Sequence, residues 1–261
     1  MARNGWLRIL CMMLVCALGA CGPRAKDLQA GEKGEVAKVL DGDTLELKSG
    51  LRVHLVSIEA PREDEALANK ARDGLQRLAA QRAVRLYYGG TSRLAAHARN
   101  PDEAALAHVY VRTEGGRWLW AQEAMLRDGL ARVHTRKDNS AGAEKRLAIE
   151  ALARGEKRGL WAASAYRVRA ADKPIEPSGF LLAEGKVINV GESKGRVFLN
   201  FGEDYRSDFT VMIGEEDLPN FKPPFDAKAL ASQRVRVRGY VSDRGGPLMR
   251  IDHPAQIEVL G

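Results

Sequence analysis

Residues 34–58, GEVAKVLDGDTLELKSGLRVHLVSI, alternate apolar and polar side chains along much of their length. A period of two residues places every second side chain on one face, as in a half-buried β-strand. Asp41-Gly42 and Ser49-Gly50 fall between the alternating runs, where tight hairpin turns are expected. The segment therefore predicts consecutive antiparallel strands and a fold built around β-structure.

Helices are predicted to follow these strands. Residues 63–82 have apolar residues at helical spacing and acidic residues in the first turn. The strand-like segments AVRLYY and LAHVYV come next, and further helical stretches lie in WLWAQEAMLRDGLARV and from Ser140 to Lys157. The order of strands, helix, strands and two helices predicts a β-rich (α+β) unit over residues 34–170.

A second unit is predicted over residues 179–261. Residues 171–178 carry two prolines, which is typical of a linker. Five short strand-like segments with turn signals follow, and that pattern fits a small barrel. Within RVRVR, the residues Arg234, Arg236 and Arg238 fall on one face of a strand, so we expect a basic surface there.

The N-terminal residues predict export and anchoring. Residues 1–20 have a short basic region and an apolar run too short to span a bilayer comfortably, which is typical of a signal peptide. The LGAC sequence at residues 18–21 resembles a bacterial lipobox, in which Cys21 is lipidated after cleavage. Residues 21–33 are then a tether. The resemblance implies a lipoprotein of the bacterial cell envelope, and Gly22 favours the outer membrane by analogy.

All three cysteines lie within the first 21 residues. The mature chain would keep only Cys21, and that one acylated. A disulfide framework and a cysteine-ligated zinc site are therefore excluded.

The net charge of +7 is concentrated in the first unit. Residues 22–173 contain 28 Lys and Arg against 21 Asp and Glu, whereas residues 174–261 contain 11 against 13. A basic domain attracts polyanions such as DNA, RNA or anionic lipid, although the same charge also serves solubility. The acidic second unit is a poor candidate for binding phosphates unaided, which leaves a packing or protein-contact role open for it.

Three acidic residues are candidate metal ligands. Asp41 and Asp43 flank the first turn, and Glu59 follows a strand later. Oxygen ligands at strand ends suit a hard divalent cation such as calcium. The same Asp-Gly-Asp sequence also makes an ordinary hairpin turn with solvated acids, so both interpretations are open on these residues alone.

Four phrases together resemble the staphylococcal-type thermonuclease family. VLDGDTLEL, VHLVSIEAP, LAHVYV and LRDGLARV occur in that order over residues 34–165. The resemblance implies a five-stranded OB barrel with three helices and a calcium-dependent phosphodiesterase. Residues 179–261 resemble a C-terminal OB-like domain that some secreted relatives carry, so the full expectation is two OB-type β-barrel domains.

The resemblance assigns metal-binding roles to several positions. It places the metal-binding acids at Asp43 and Glu59, an outer acid at Asp41, and a carbonyl ligand at Ala60. These residues are the part of the family pattern that the sequence keeps.

Three other functional positions depart from the family pattern. His54 and Ala104 stand where the family has arginines, and Arg62 stands where it has the glutamate that acts as general base. A histidine is not permanently charged and does not offer the bidentate fork of a guanidinium. Two neighbours are candidate substitutes: Arg52, on the same strand face as His54, for binding phosphate, and Glu63 for activating water.

The sequence leaves three functions open. The first is an envelope-anchored, calcium-dependent nuclease that acts on DNA or RNA through the basic N-terminal domain and reaches the membrane through Cys21. The second is a catalytically silent protein that binds nucleic acid or an envelope partner through the same surface. The third is a structural envelope lipoprotein that binds neither metal nor nucleic acid. The ligand of the second unit is not indicated.

Overall fold

The computed structural model describes residues 28–89, 104–177, 179–204, 206–223 and 225–260. The expected signal peptide, Cys21 and the first part of the tether lie outside these ranges. Among the described residues, no helix has the length and apolar character needed to cross a membrane. Lipidation and anchoring therefore stay predictions from the sequence.

The first half of the chain combines eight strands with three helices in its described residues. The strands are β1 (Gln29–Val39), β2 (Thr44–Leu47), β3 (Arg52–Leu55), β4 (Ile58–Glu59), β5 (Ala83–Tyr88), β6 (Ala105–Arg112), β7 (Trp118–Trp120) and β8 (Arg132–Val133). The helices are α1 (Glu65–Ala79), α2 (Ala121–Arg127) and α3 (Ala143–Gly155), followed by short 3-10 turns at Gly159–Ala162 and Ser164–Tyr166.

Five of these strands close into a barrel. Antiparallel pairing runs in the order β3-β2-β1-β5-β6, and β3 also pairs with β6 in parallel, which completes the circle. β7 extends the sheet beyond β6. Apolar side chains from alternate positions fill the interior, among them the fully buried Val36, Leu45 and Val53. The predicted five-stranded barrel with helices is confirmed.

The turn before β2 is fixed by close packing. A Cβ at Gly42 would lie 2.7 Å from the Cβ atoms of both Ala60 and Ala71, so only glycine fits there. Asp41 Oδ1 accepts a hydrogen bond from the Asp43 backbone N–H at 2.9 Å, as expected for an Asp-initiated turn. The Asp-Gly-Asp sequence thus makes a turn and also holds Asp43 against the segment that follows β4.

Helix α1 begins two residues later than the sequence pattern predicts. The Asp64 carboxylate caps it by accepting the Leu67 N–H at 2.9 Å, which satisfies one of the free N–H groups at the helix start. The buried face consists of Ala71, Leu75 and Ala79, which pack against the barrel. Residues 60–64 are therefore a loop between β4 and α1, and this loop carries Arg62 and Glu63.

The second half forms a curled sheet of eight strands. They are β9 (Arg169–Ala170), β10 (Phe180–Lys186), β11 (Asn189–Ser193), β12 (Arg196–Asn200), β13 (Thr210–Ile213), β14 (Arg234–Asp243), β15 (Pro247–Ile251) and β16 (Ile257–Leu260). Short 3-10 turns lie at Leu218–Asn220, Lys228–Leu230 and Pro254–Gln256. The order is β11-β12-β13-β15-β14-β10-β9, with β16 also paired to β14. Among the described residues no pairing closes this path, so closure into a second barrel stays a prediction.

Strand β14 joins the two halves through charge as well as packing. Arg238 is 1% exposed and reaches Glu150 of α3 at 2.6 Å and Glu258 of β16 at 2.5 Å. Arg236 pairs with Glu184 at 2.6 Å, so only Arg234 of the three is well exposed. The basic surface expected from RVRVR is therefore absent, because neighbouring strands and α3 neutralise two of its arginines.

Candidate active site

Asp43 is the most enclosed residue of the site. Its side chain is 0% exposed, and its Oδ2 accepts the Ala60 N–H at 2.7 Å. The turn at Gly42 sets this contact, because it brings the start of β2 against the end of β4. Thr44 Oγ1 donates to Asp43 Oδ1 at 3.3 Å, and His54 Nδ1 lies 3.3 Å from the same oxygen.

Arg62 lies between the two acids that the family resemblance assigns to the metal. Its Nη2 donates to Asp43 Oδ1 at 2.9 Å, and its Nη1 donates to Glu59 Oε1 at 2.5 Å. The guanidinium side chain is 47% exposed, so one side of it faces solvent. The positively charged Arg62 side chain therefore bridges the two carboxylates.

The second half of the chain contributes to the same site. The Tyr240 hydroxyl donates to Glu59 Oε1 at 3.1 Å, and His134 Nδ1 lies 3.3 Å from Glu59 Oε2. The rings of His134 and Tyr240 meet edge to face, with centroids 5.4 Å apart. Together with His54, Arg62 and Arg136, these residues line an open cleft of about 400 Å³.

The surroundings shift the pKa values of the two aspartates of the turn in opposite directions. Burial alone would raise the pKa of Asp43, but the hydrogen bond and charge of His54 and the charge of Arg62 hold that pKa at about 2. Burial and the adjacent Asp43 charge raise the pKa of Asp41. Burial opposes protonation of His54, yet its hydrogen bond to Asp43 raises the His54 pKa above the usual value.

The same network of contacts lowers the pKa of Glu59 and raises that of Tyr240. Burial would raise the pKa of Glu59, but the hydrogen bond from His134 and the charge of Arg62 lower it. Burial and the Glu59 carboxylate raise the pKa of Tyr240 to about 12, so its hydroxyl stays a donor at neutral pH. Asp43 and Glu59 are therefore both ionised and both already paired.

The calcium ion that the family resemblance implies does not fit this arrangement. Arg62 occupies the space between Asp43 and Glu59, and the second Asp43 oxygen is taken by the Ala60 N–H. In the part of the chain that the structure describes, no group of three or more His, Cys, Asp or Glu side chains is placed to hold a metal ion. Calcium therefore stays a prediction from the resemblance.

The predicted site residues divide into two groups. Glu59 lines the cleft, Asp43 lies behind it in contact with Arg62 and His54, and Asp41 accepts the Asp43 N–H. Arg52 and Glu63 do not line the cleft. Arg52 pairs with Glu46 on the neighbouring strand β2, with Nε and Oε2 3.6 Å apart. Glu63 lies on the opposite side of the loop, beside Gly179, in a separate cavity lined by Arg132 and Tyr166.

Three residues of the cleft were missed by sequence reasoning. His134 and Arg136 follow β8, which pairs with β4 and so brings them beside Glu59. Their proximity to β4 has no local sequence signal. Tyr240 lies 181 positions after Glu59, and only the docking of β14 brings the two together.

Comparison with known proteins agrees with this geometry. The family described as staphylococcal nuclease homologues matches residues 52–163. "Probable endonuclease lcl3" of Pyrenophora tritici-repentis is 32% identical over 145 residues, which are 50% of this chain and 48% of that protein. "Protein ParB" of Escherichia coli is 27% identical over 176 residues, which are 62% of this chain and 88% of that protein.

The chain thus spans about half the length of the first of these relatives. The family match begins at β3 and ends after α3, so it covers β3, β5 and β6 of the closed barrel and, of the three candidate metal acids, only Glu59. Residues 52–163 therefore carry a staphylococcal nuclease-like domain match, and within this range Arg62 bridges Glu59 to Asp43, which precedes the matched residues.

Proposed function

We propose that this protein is an envelope-anchored lipoprotein that binds nucleic acid through its nuclease-like cleft and does not hydrolyse it while Arg62 bridges Asp43 and Glu59. This bridge is the observation that carries the proposal. Its Arg62–Glu59 and Arg62–Asp43 distances are 2.5 and 2.9 Å. The guanidinium neutralises the carboxylates that a metal-dependent reaction would need free.

The family's other functional positions support the same conclusion. His54 and Ala104 replace the two arginines that the resemblance leads one to expect, and neither Arg52 nor Glu63 reaches the cleft. Losing one preorganised donor to a developing negative charge typically costs roughly 100- to 1000-fold in rate. Two arginines and the base are missing from their family positions. Two further arginines that precede Ala104 in the sequence lie outside the described residues, namely Arg93 and Arg99.

Binding of nucleic acid is supported by the groups at the mouth of the cleft. Arg62 and Arg136 are about half exposed, and Tyr240 is 49% exposed beside them. Guanidinium groups bind phosphates through paired hydrogen bonds, and an exposed aromatic ring offers a face to a base. The likeness to a nuclease family and to a protein named as a probable endonuclease supports the same ligand class.

Anchoring rests on the sequence alone. The signal-like residues 1–20 and the lipobox-like residues 18–21 support lipidation at Cys21 and attachment to the outer membrane. The tether then leaves the folded domains free to meet polyanions in the periplasm or outside the cell.

A second candidate is calcium-dependent phosphodiester hydrolysis. It is favoured by the convergence of Asp41, Asp43 and Glu59, in the order that the family pattern requires. In that case Arg62 would have to leave the carboxylates before the metal entered.

The test measures binding and cleavage on the same samples. The full chain is mixed with fluorescein-labelled single-stranded DNA, once with calcium and once with EDTA, and followed by anisotropy and by gel electrophoresis. We expect an anisotropy rise in both conditions and intact DNA in both. Arg62→Ala should acquire calcium binding, measured by titration calorimetry, because it frees the two carboxylates.

Arg72→Ala is the matched control, since Arg72 is a half-exposed arginine on α1 outside the cleft. It should gain no calcium binding. Calcium-dependent cleavage by the unmodified protein, lost in Asp43→Ala/Glu59→Ala, would overturn the proposal in favour of the second candidate. Absence of any binding to DNA or RNA would overturn both candidates.

A further inference from the structure

A second concave surface lies on the sheet of the C-terminal half. Strands β12, β13 and β15 carry two adjoining grooves of about 490 and 420 Å³, and both are lined by Phe198, Leu248 and Arg244. The strand register explains why the two grooves adjoin. Phe198 is opposite Met212, and Met212 is opposite Arg250, so these side chains form one row across three strands.

Among the side chains that line the grooves, the unpaired charges are positive, although Glu215 lies close by, beside Gly195. Among the described residues, no carboxylate lies within ion-pair distance of Arg196 or Arg244, although both line the grooves. The acids there are already paired: Glu192 lies 3.3 Å from Lys228, and Glu216 lies 2.5 Å from Arg250. The surface therefore has two free guanidinium groups beside half-buried apolar side chains, which is a composition suited to a polyanion with stacking bases.

Strand β14 connects this surface to the nuclease-like cleft. Tyr240 lines the cleft, and Ser242 and Arg244, at alternate positions after it, line the grooves. With a rise of about 3.3 Å per residue, Tyr240 and Arg244 are roughly 13 Å apart along the chain. Asp243 accepts the N–H groups of Gly245 and Gly246 at 3.2 Å, which fixes the turn that carries Arg244.

A second connection runs alongside the first. Arg136 lines the cleft, and its neighbour Lys137 reaches the buried Asp217 at 2.6 Å. Arg250, which lines the second surface, contacts the same Asp217 at 2.6 Å. Basic side chains from both halves therefore meet at one acid, Asp217.

We propose that the cleft and the grooves form one binding track for single-stranded nucleic acid, from Arg136 and Tyr240 to Phe198 and Arg244. The inference rests on the proposed binding of nucleic acid. It adds that the nucleic acid is single-stranded and that it extends from the cleft onto the grooves. Rings of Tyr240 and Phe198 stack only on bases that are not already paired in a duplex, whereas the arginines bind the backbone phosphates.

The test compares the unmodified full chain with Arg196→Ala/Arg244→Ala, using labelled single strands of about 5 and about 20 nucleotides. We expect the variant to bind the long strand at least tenfold more weakly and the short strand unchanged. Each lost phosphate contact should reduce the slope of log K against log salt by about 0.7, so about 1.4 in total.

Lys186→Ala/Arg234→Ala removes the same charge from the far end of β10 and β14, where the two residues are opposite each other. This control should bind both strands as the unmodified protein does, and circular dichroism should report the same fold for both variants. If the unmodified protein binds the long strand and Arg196→Ala/Arg244→Ala binds it equally well, the track is overturned and the proposed function stands. If a duplex of the same sequence binds as tightly as the single strand, the single-strand preference is overturned. If the unmodified protein binds no nucleic acid, both proposals are overturned.

Discussion

Among the described arginines that each bridge two carboxylates, Arg238 and Arg62 lie in contrasting surroundings. Arg238 reaches Glu150 and Glu258 with 1% of its side chain exposed, at the junction of the two halves. Arg62 reaches Asp43 and Glu59 at similar distances with 47% exposed, at the mouth of a cleft. The hydrogen-bond pattern is the same, and solvent access is what differs.

Solvent access decides what each bridge does. Removing one partner of a buried ion pair leaves a charge that has no water to replace the partner, so such a bridge acts mainly on stability. An exposed bridge is weakened by water and salt, so it contributes less to stability, and the exposed side of its guanidinium can still contact a ligand. The comparison therefore assigns Arg238 to holding the fold together and Arg62 to controlling the site.

The largest expected effect is at Arg238. Arg238→Ala should lower the free energy of unfolding by about 3 kcal/mol, the low end of the range for a broken buried pair. The low end applies because Glu150 keeps the Arg154 guanidinium at 3.2 Å and the Val133 N–H at 2.7 Å. Urea denaturation measures the change, with Arg234→Ala on the same strand as the exposed control. Equal losses in the two variants would contradict the comparison.

Substitution of Asp217 should lower the free energy of unfolding by an intermediate amount that depends on pH. Its side chain is 0% exposed and pairs with Lys137 and Arg250. Asp217→Asn should lower the free energy of unfolding by roughly 2 kcal/mol at neutral pH, because hydrogen bonds to a charged group are lost. Burial would raise the pKa of Asp217, but the hydrogen bonds from Lys137 and Arg250 lower it.

A depressed carboxylate pKa stabilises the fold above the unfolded value of 3.8 and loses that contribution as pH falls below it. The difference in melting temperature between unmodified protein and Asp217→Asn should therefore be constant from pH 5 to 8, and shrink below about pH 4. A difference that grows on acidification would show that another group is responsible.

Arg62→Ala should have a smaller effect on stability than either. We expect a loss of about 1 kcal/mol or less, because half of the side chain faces water and Asp43 keeps the Ala60 N–H. Thermal unfolding in EDTA gives this number without any contribution from metal. A loss as large as that of Arg238→Ala would mean that the exposed bridge is structural too.

Arg52→Ala should change almost nothing. Arg52 is 56% exposed and makes a 3.6 Å contact with Glu46, so its removal should alter the free energy of unfolding by less than about 0.5 kcal/mol. Its removal should also leave affinity for single-stranded DNA unchanged, as anisotropy would report. A marked loss of affinity would restore Arg52 as a residue that binds phosphate.

Local sequence patterns predicted part of the first half. The helix predicted over WLWAQEAMLRDGLARV is wrong at both ends, because Trp118–Trp120 and Arg132–Val133 are strands that pair with β6 and β4, and only Ala121–Arg127 is helical. The alternation in residues 34–58 gave β1 to β3, because a period of two residues depends only on neighbouring positions. Helix α1 followed from its spacing and from the acids at its start, within two residues at its beginning.

The family phrases pointed to Asp41, Asp43 and Glu59 as metal ligands, and that role stays a prediction. The turn at Gly42 and the β4 segment bring Asp43 close to Glu59.

Ion pairs between residues that are far apart in the sequence could not be predicted from local patterns. RVRVR predicted a basic face, yet Arg238 is buried because α3 and β16 supply Glu150 and Glu258 from far along the chain. Arg52 was expected at the site on strand alternation alone, but its cross-strand neighbour Glu46 holds it elsewhere.

By itself, the sequence determined the strands β1 to β3 and helix α1, because turns and periodicity act between near neighbours. The resemblance to the nuclease family, carried by four phrases of the sequence, implied the closed barrel and the candidate acids. Only the tertiary structure decided that Arg62 spans Asp43 and Glu59 and that Tyr240 joins them. The physical reason is that a charge is neutralised by whatever group the fold brings within about 3 Å, and separation along the chain does not determine that distance.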